Sequence, residues 1–208
     1  TLPPELANAD VDLTRLQAAL SAPGAPRDVS LCFYGPPGTG KSAFARQLAS
    51  AMSLEALLKR GSDLLSKWIG ETERNIARAF EEAREENAFL IIDEAEGFLW
   101  NRAGAQKSWE VTMVNELLVQ METHPLPFAC TTNHLDYIDS AAVRRFAFKV
   151  KFDFLTPAQS AEAERRFQSE VSSARSIVEK AAPHADEGTK AALTSLTYNA
   201  GTAWIDSG

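Results

Sequence analysis

Gly35-Pro36-Pro37-Gly38-Thr39-Gly40-Lys41-Ser42 constrains this chain more than any other stretch, because it spells the phosphate-binding pattern G-x-x-x-x-G-K-[ST] without a mismatch. Such a loop works only between a buried strand and a helix, and both flanks are present. Val29 to Tyr34 is an apolar run ending directly at Gly35, and Ser42 to Met52 carries Phe44, Leu48 and Ala51 at helical spacing. The glycines let the backbone wrap so that successive N–H groups converge on a phosphate at the positive end of the next helix. Lys41 is expected to reach the β- and γ-phosphates, and the Ser42 hydroxyl to complete the coordination of a bridging Mg²⁺. A Gly/Pro turn that happens to contain Lys-Ser is the plain alternative.

Downstream, apolar runs alternate with amphipathic stretches. Strands are predicted over Leu54–Leu58, Phe89–Ile92, Phe128–Thr132 and Phe148–Phe152, and helices over Glu71–Glu86 and Ser108–Glu122. This alternation implies an α/β fold of the P-loop NTPase kind: three layers, a central parallel sheet and ligands at the carboxyl ends of its strands. Before it, residues 1–28 read as a Pro/Ala-rich linker packed on the core, with a helix over Val11–Leu20 capped by Asp10. After residues 29–156, which form the large subdomain, residues 157–208 read as a small helical region, a partial or atypical lid. Thr156-Pro157 starts a long helix ending near Pro183, and a shorter one is expected over Thr189–Tyr198. Phe167, Val171, Ala174 and Val178 give the long helix a thin seam to dock on the sheet domain or on a neighbouring chain.

Phe89-Leu90-Ile91-Ile92-Asp93-Glu94 delivers two carboxylates at the end of a buried strand. Asp93 is positioned to hold Mg²⁺ directly or through water, and Glu94 to polarise the water that attacks a γ-phosphate. An Asp-Glu pair opening the next helix is the alternative. Asn133, closing the strand expected beside that of Asp93, offers an amide near Glu94, although Asn is also an ordinary strand-ending residue. Arg144-Arg145 follows a short helical turn, far along the chain from the loop, and so reads as an arginine finger for a neighbour's ATP or as solvated arginine on an exposed turn. Lys67-Trp68-Ile69-Gly70 sets an aromatic and an aliphatic residue in a polar stretch, either as core or as a rigid grip on an extended polypeptide. Trp100 and Trp109 flank a second polar loop, Asn101–Lys107, that could form a lower ring of contacts, with packing the plainer role.

In that order, the loop, Asp93-Glu94, Asn133 and the paired arginines make residues 29–155 resemble the AAA family within the AAA+ ATPases. Leu64 to Ile76 is similar to that family's first pore loop and following helix, and Asp139 to Phe146 to its second region of homology. The consecutive arginines before Phe146 look more like the katanin, spastin and endosomal-sorting type than like the Pro-Gly-interrupted unfoldases. The resemblance implies a homo-hexameric ring with ATP and Mg²⁺ between subunits, Glu94 as catalytic base, Asn133 as sensor 1, Arg144 and Arg145 acting in trans, and Trp68 and Ile69 lining a pore for a protein substrate. Two departures stand out: Ala147-Phe148 replaces the usual polar pair after Arg-Phe, and the C-terminal region is short for the family's lid.

A net charge of −7 over 208 residues argues against a general nucleic-acid binder, although an AAA+ loader acting on nucleic acid and a nucleotide-gated scaffold with little turnover remain alternatives. A monomeric nucleoside kinase shares the loop but gives no reason for Asn133 and the arginines. Cys32 and Cys130 lie in apolar runs without Cys-x-x-Cys spacing and read as buried free thiols in a reducing, cytoplasmic setting. No apolar stretch approaches the ~20 residues that span a bilayer. The small-residue tail and the Thr1 start lead one to expect a piece of a longer protein.

Overall fold

The structure is a computed structural model and describes residues 4, 7–68, 70–97, 99 and 108–200, without the side chains of 108–111, 199 and 200. The chain divides into two compact units, Thr1–Leu155 and Thr156–Gly208.

In the first unit a mixed sheet runs through β1 (Asn8–Ala9), β2 (Ser30–Tyr34), β3 (Ala56–Arg60), β4 (Phe89–Asp93), β5 (Phe128–Thr132) and β6 (Phe148–Asp153). The spatial order is β1-β6-β2-β5-β4-β3, and every pairing is parallel except that of β1 with β6. Parallel strands need crossovers, which here are α2 (Lys41–Ala51), α4 (Glu71–Glu85) and α5 (Ser108–Thr123), with the short α3 (Gly61–Leu64) and α6 (Ser140–Arg145) at loop ends. This is the three-layer α/β arrangement of a P-loop NTPase.

Alternation along β2 divides the core. Leu31 and Phe33 face α1 (Leu13–Leu20) and α2, joining Phe44, Leu48 and Phe152 in one apolar cluster, whereas Cys32 faces the other way with Ile76, Phe80, Leu117 and Phe146. Phe33 meets Phe44 edge-on at 5.5 Å and Phe152 at 5.7 Å, and on the opposite face Phe80 meets Phe128 at 5.3 Å. Each such ring taken fully out of water contributes on the order of 1.5–3 kcal/mol, which is what clamps the strand bearing the phosphate loop between two helical layers.

Several boundaries differ from the sequence reading for identifiable reasons. Asp12, not Asp10, caps α1, accepting the Arg15 N–H at 3.0 Å. Asp10 is taken by the sheet edge, where its carboxylate accepts the Lys151 N–H at 2.9 Å. β3 starts two residues later than the pattern predicts because pairing with β4 sets its register, Ala56 opposite Phe89 and Arg60 opposite Asp93.

In the second unit, α7 (Pro157–Ala181) opens with the predicted Thr156 cap and Pro157, completed by a reciprocal capping box with Gln159. α8 (Glu187–Ala200) begins ahead of the predicted Thr189 because Asp186 caps it, accepting the Thr189 N–H at 3.0 Å. The seam of α7 packs within this unit: Ala174 and Val178 are buried, and Phe167 meets Tyr198 of α8 edge-on at 5.7 Å.

Candidate nucleotide site

The carboxyl ends of β2, β4 and β5 converge on the phosphate loop. Gly35 leaves β2 at φ +132°, and a Cβ there would collide with the Phe152 carbonyl of β6, so only glycine lets the chain turn at this point. Gly40 sits at φ +92° as the N-cap of α2, with no side chain capping the first turn. The N–H groups of that turn are therefore left for an anion. Thr39 ties the loop to itself by donating to the Pro36 carbonyl at 2.8 Å.

Lys41 is buried, and its ammonium donates to the carbonyls of Gly35 and Pro36, each at 2.8 Å, and to Asn133 Oδ1 at 3.0 Å. Desolvation lowers its pKa from the ordinary lysine value, and the nearby Glu96 and Asp93 carboxylates oppose that shift. The Ser42 hydroxyl donates to Asp93 Oδ1 at 2.6 Å, and the Thr131 hydroxyl donates to the same oxygen. Thr131 Oγ1 also accepts the Glu94 N–H at 3.2 Å, so one hydroxyl fixes both acids at the end of β4. Glu94 itself adopts φ +58°, a left-handed backbone that non-glycine residues seldom occupy, and its exposed side chain borders the cleft.

The cleft has a volume of about 330 Å³ and is lined by residues 37–43 together with Asp93, Glu94, Thr131 and Asn133. Gly35 and Pro36 lie outside this lining and act on it through Lys41. For a divalent cation the protein supplies one hydroxyl, Ser42, and one carboxylate, Asp93, already in contact. No cluster of three or more His, Cys, Asp or Glu capable of holding a metal occurs among the described residues. This sparse, all-oxygen set fits Mg²⁺, which keeps several waters and takes phosphate oxygens as further ligands.

Two residues of the site escaped the sequence reading. Thr131 stands two positions before Asn133 on β5, and that i, i+2 relation was the available signal. Glu96 lies on a 3-10 turn over Ala95–Gly97, and its Oε1 accepts both the backbone N–H of Asn133 at 3.3 Å and its Nδ2 at 3.1 Å. Asn133 is thus engaged by Lys41 and Glu96, and the Glu94 side chain has no hydrogen-bond partner among the described residues.

The arginines occupy the other end of the sheet. Ser30, the first residue of β2, donates its hydroxyl to the Arg145 carbonyl at 2.9 Å. Five residue steps along β2 separate that point from Gly35, about 16 Å at ~3.3 Å per residue, beyond the reach of either side chain to its own loop. Arg145 Nε donates to Glu122 at 2.7 Å and Nη1 to the Ala141 carbonyl at 3.2 Å. Arg144 is exposed and has no partner among the described residues. Trp68 is 67% exposed, with the Lys67 ammonium 5.6 Å from its ring centre. The Trp68 backbone N–H donates to Ser66 Oγ at 3.2 Å, and Gly70 caps the start of α4 at φ +81°. Ile69, Trp100 and the 101–107 loop lie outside the described residues, as does the side chain of Trp109.

A Cβ on Gly61 would collide with the Glu94 carbonyl, so α3 rests directly on the backbone just after β4. Cys32 and Cys130 are buried, free and paired in register across β2 and β5. Burial pushes the Cys32 thiol up to about 12 and Cys130 well above its ordinary value, leaving both thiols protonated and inert.

Sequence comparison places this site among known proteins. The family described as "ATPase family associated with various cellular activities (AAA)" matches residues 31–154, the span from β2 to the end of β6. The chain belongs to the AAA family. It is 38% identical over 149 residues to an ATPase family AAA domain-containing protein of Arabidopsis thaliana, covering 67% of this chain and 12% of that protein. It is 36% identical over 146 residues to the ATPase histone chaperone abo1 of Schizosaccharomyces pombe, covering 65% of this chain and 12% of that protein. Against human ATPase family AAA domain-containing protein 2 the identity is 35% over 142 residues, 64% of this chain and 10% of the relative. The AAA domain described here therefore spans only about a tenth of the length of these relatives. No helix among its described residues is long and apolar enough to cross a membrane.

Proposed function

We propose that the AAA domain binds and hydrolyses ATP with Mg²⁺, contributing one half of a site shared between subunits of a homo-hexameric ring that remodels protein substrates. The observation that carries the hydrolytic reading is the joint anchoring of Asp93 and Glu94 by Thr131, with the Glu94 carboxylate at the cleft edge unpartnered among the described residues. A carboxylate so placed can orient a water and take its proton, the help a loose phosphoryl-transfer transition state needs. Ser42 and Asp93 would hold Mg²⁺, which when bound neutralises phosphate charge. Lys41 exchanges its loop carbonyls for phosphate oxygens, and α2 presents its N-terminal N–H groups. Arg144 is the finger offered to a neighbour, with Arg145 braced on Glu122.

The exposed Trp68 supports a polypeptide grip in a pore, and the relative named as a histone chaperone, abo1, favours protein over nucleic acid as the material acted on. On this reading residues 29–156 are the large AAA+ subdomain and residues 157–208 a partial or atypical lid. The consecutive arginines before Phe146 remain the reason for placing the domain nearest the katanin and spastin type. The inert thiols suit a reducing compartment such as the cytoplasm.

The test is ATPase rate against protein concentration for wild type, Glu94→Gln and the Arg144→Ala/Arg145→Ala pair, alone and mixed. A rate per subunit that rises with concentration, and activity regained on mixing two inactive variants, are expected. Turnover independent of concentration, or none regained on mixing, would overturn the shared site. Concentration-dependent assembly without any turnover would leave a nucleotide-gated scaffold.

A further inference from the structure

Asn133 is held in one orientation by chemistry that allows no other. A lysine ammonium only donates hydrogen bonds and an ionised carboxylate only accepts them, so the amide must turn Oδ1 to Lys41 and Nδ2 to Glu96. Flipping it would set an NH₂ against the ammonium and a carbonyl against the carboxylate. Glu96 also takes the Asn133 backbone N–H on the same oxygen, fixing main chain and side chain together. Its other oxygen, Oε2, is buried without a hydrogen-bond partner among the described residues, so the carboxylate is committed to Asn133 alone. Two of the three atoms a rotating amide could use are thereby engaged, and one Nδ2 hydrogen is left over on a residue that lines the cleft beside Lys41.

We propose that Glu96 is a positioning residue for triphosphate discrimination: by clamping Asn133 through two hydrogen bonds it holds the amide beside Lys41, where the γ-phosphate of ATP would meet it and ADP would offer nothing. Glu96 never touches nucleotide. Its effect passes through Asn133, and the loop, which holds the α- and β-phosphates, is indifferent to it. The inference rests on the cleft being an ATP site.

The measurement is the dissociation constant of the full chain for ADP and for a β,γ-imido ATP analogue, each with Mg²⁺ and in EDTA. Glu96→Ala is expected to lower the triphosphate-to-diphosphate preference about tenfold, the scale of a lost hydrogen bond to a charged group, while the ADP constant stays within about twofold. Glu96→Gln, whose amide oxygen accepts the same two bonds, should retain most of the preference. In an Asn133→Ala background Glu96→Ala should change nothing further, since the two act as one unit. If Glu96→Ala lowers the melting point enough to prevent binding, Glu96→Met keeps the length of the side chain without its acceptors. An unchanged preference, a parallel loss of ADP and analogue binding, or additivity with Asn133→Ala would each overturn the proposal. Failure of wild type to bind either nucleotide would instead overturn the ATP-site reading.

Discussion

The two ends of β2 carry opposite kinds of charge arrangement. At the carboxyl end, Lys41 spends three donors, Asp93 accepts from two hydroxyls and Asn133 is gripped from both sides. At the amino end, Arg144 stands exposed without a partner among the described residues, and Arg145 is held by a half-exposed pair with Glu122. The hydrogen bonds of the first end close within one chain. The second displays an exposed cation, and an exposed pair such as Arg145–Glu122 contributes only about 0–1 kcal/mol. Local hydrogen bonding therefore builds the pocket, whereas the arginine edge is open to solvent, as the proposed contact with a neighbour requires.

That contrast can be broken most forcefully at the arginines. Arg144→Ala should lower turnover of the assembled protein by about 10³-fold, the scale of a lost arginine finger, with nucleotide affinity little changed; Arg145→Ala should cost less because its guanidinium is already engaged. Steady-state kinetics at saturating protein concentration decide this, and the reverse order would show that Arg145 leaves Glu122 to act.

The carboxyl end is tested by two glycines of one loop. Gly35→Ala drives a Cβ into the Phe152 carbonyl at φ +132° and should destabilise the fold by roughly 3–5 kcal/mol, whereas Gly38→Ala, at φ +77° in open space, should cost about 1 kcal/mol. Denaturant midpoints measure the difference, and equal losses would mean that close approach to β6 does not set the loop.

A smaller effect distinguishes the ends by pH. His124, near Glu122 at the arginine end, is buried edge-on to Phe80 and Phe128 with neither ring nitrogen hydrogen-bonded among the described residues. Burial, reinforced by Arg84, lowers its pKa from 6.5 to about 4. The unfolded chain therefore binds the proton first as pH falls, so the stability associated with neutral His124 is full above 6.5 and is lost progressively from there toward 4. His124→Phe should flatten this part of the acid limb in thermal melts at pH 4.5 to 7, and an unchanged slope would show that other groups govern it.

Much of the fold was legible because its signals are local. The loop is read from consecutive residues, the strands from short apolar runs, and the α7 start from Thr156-Pro157, to which the structure adds the Gln159 half of a capping box. β1 was not legible, since two residues carry no period and their pairing with Asp153 and Phe152 lies far along the chain. The α7 seam was visible as a seam, but its partner was not, because helix periodicity shows that a face is apolar and not what covers it.

By itself the sequence determined the phosphate loop, the carboxylate pair at the end of β4, Asn133 and the adjacent arginines, because each is fixed by neighbours one to eight positions away and by backbone periodicity. Only the tertiary structure decided that Thr131 binds Asp93 and supports Glu94, that Glu96 clamps Asn133, and that Arg145 is tied to Glu122 while Arg144 is exposed without a partner among the described residues. Those are through-space pairings set by the register of parallel strands and the placement of their crossovers, and no spacing along the chain encodes them.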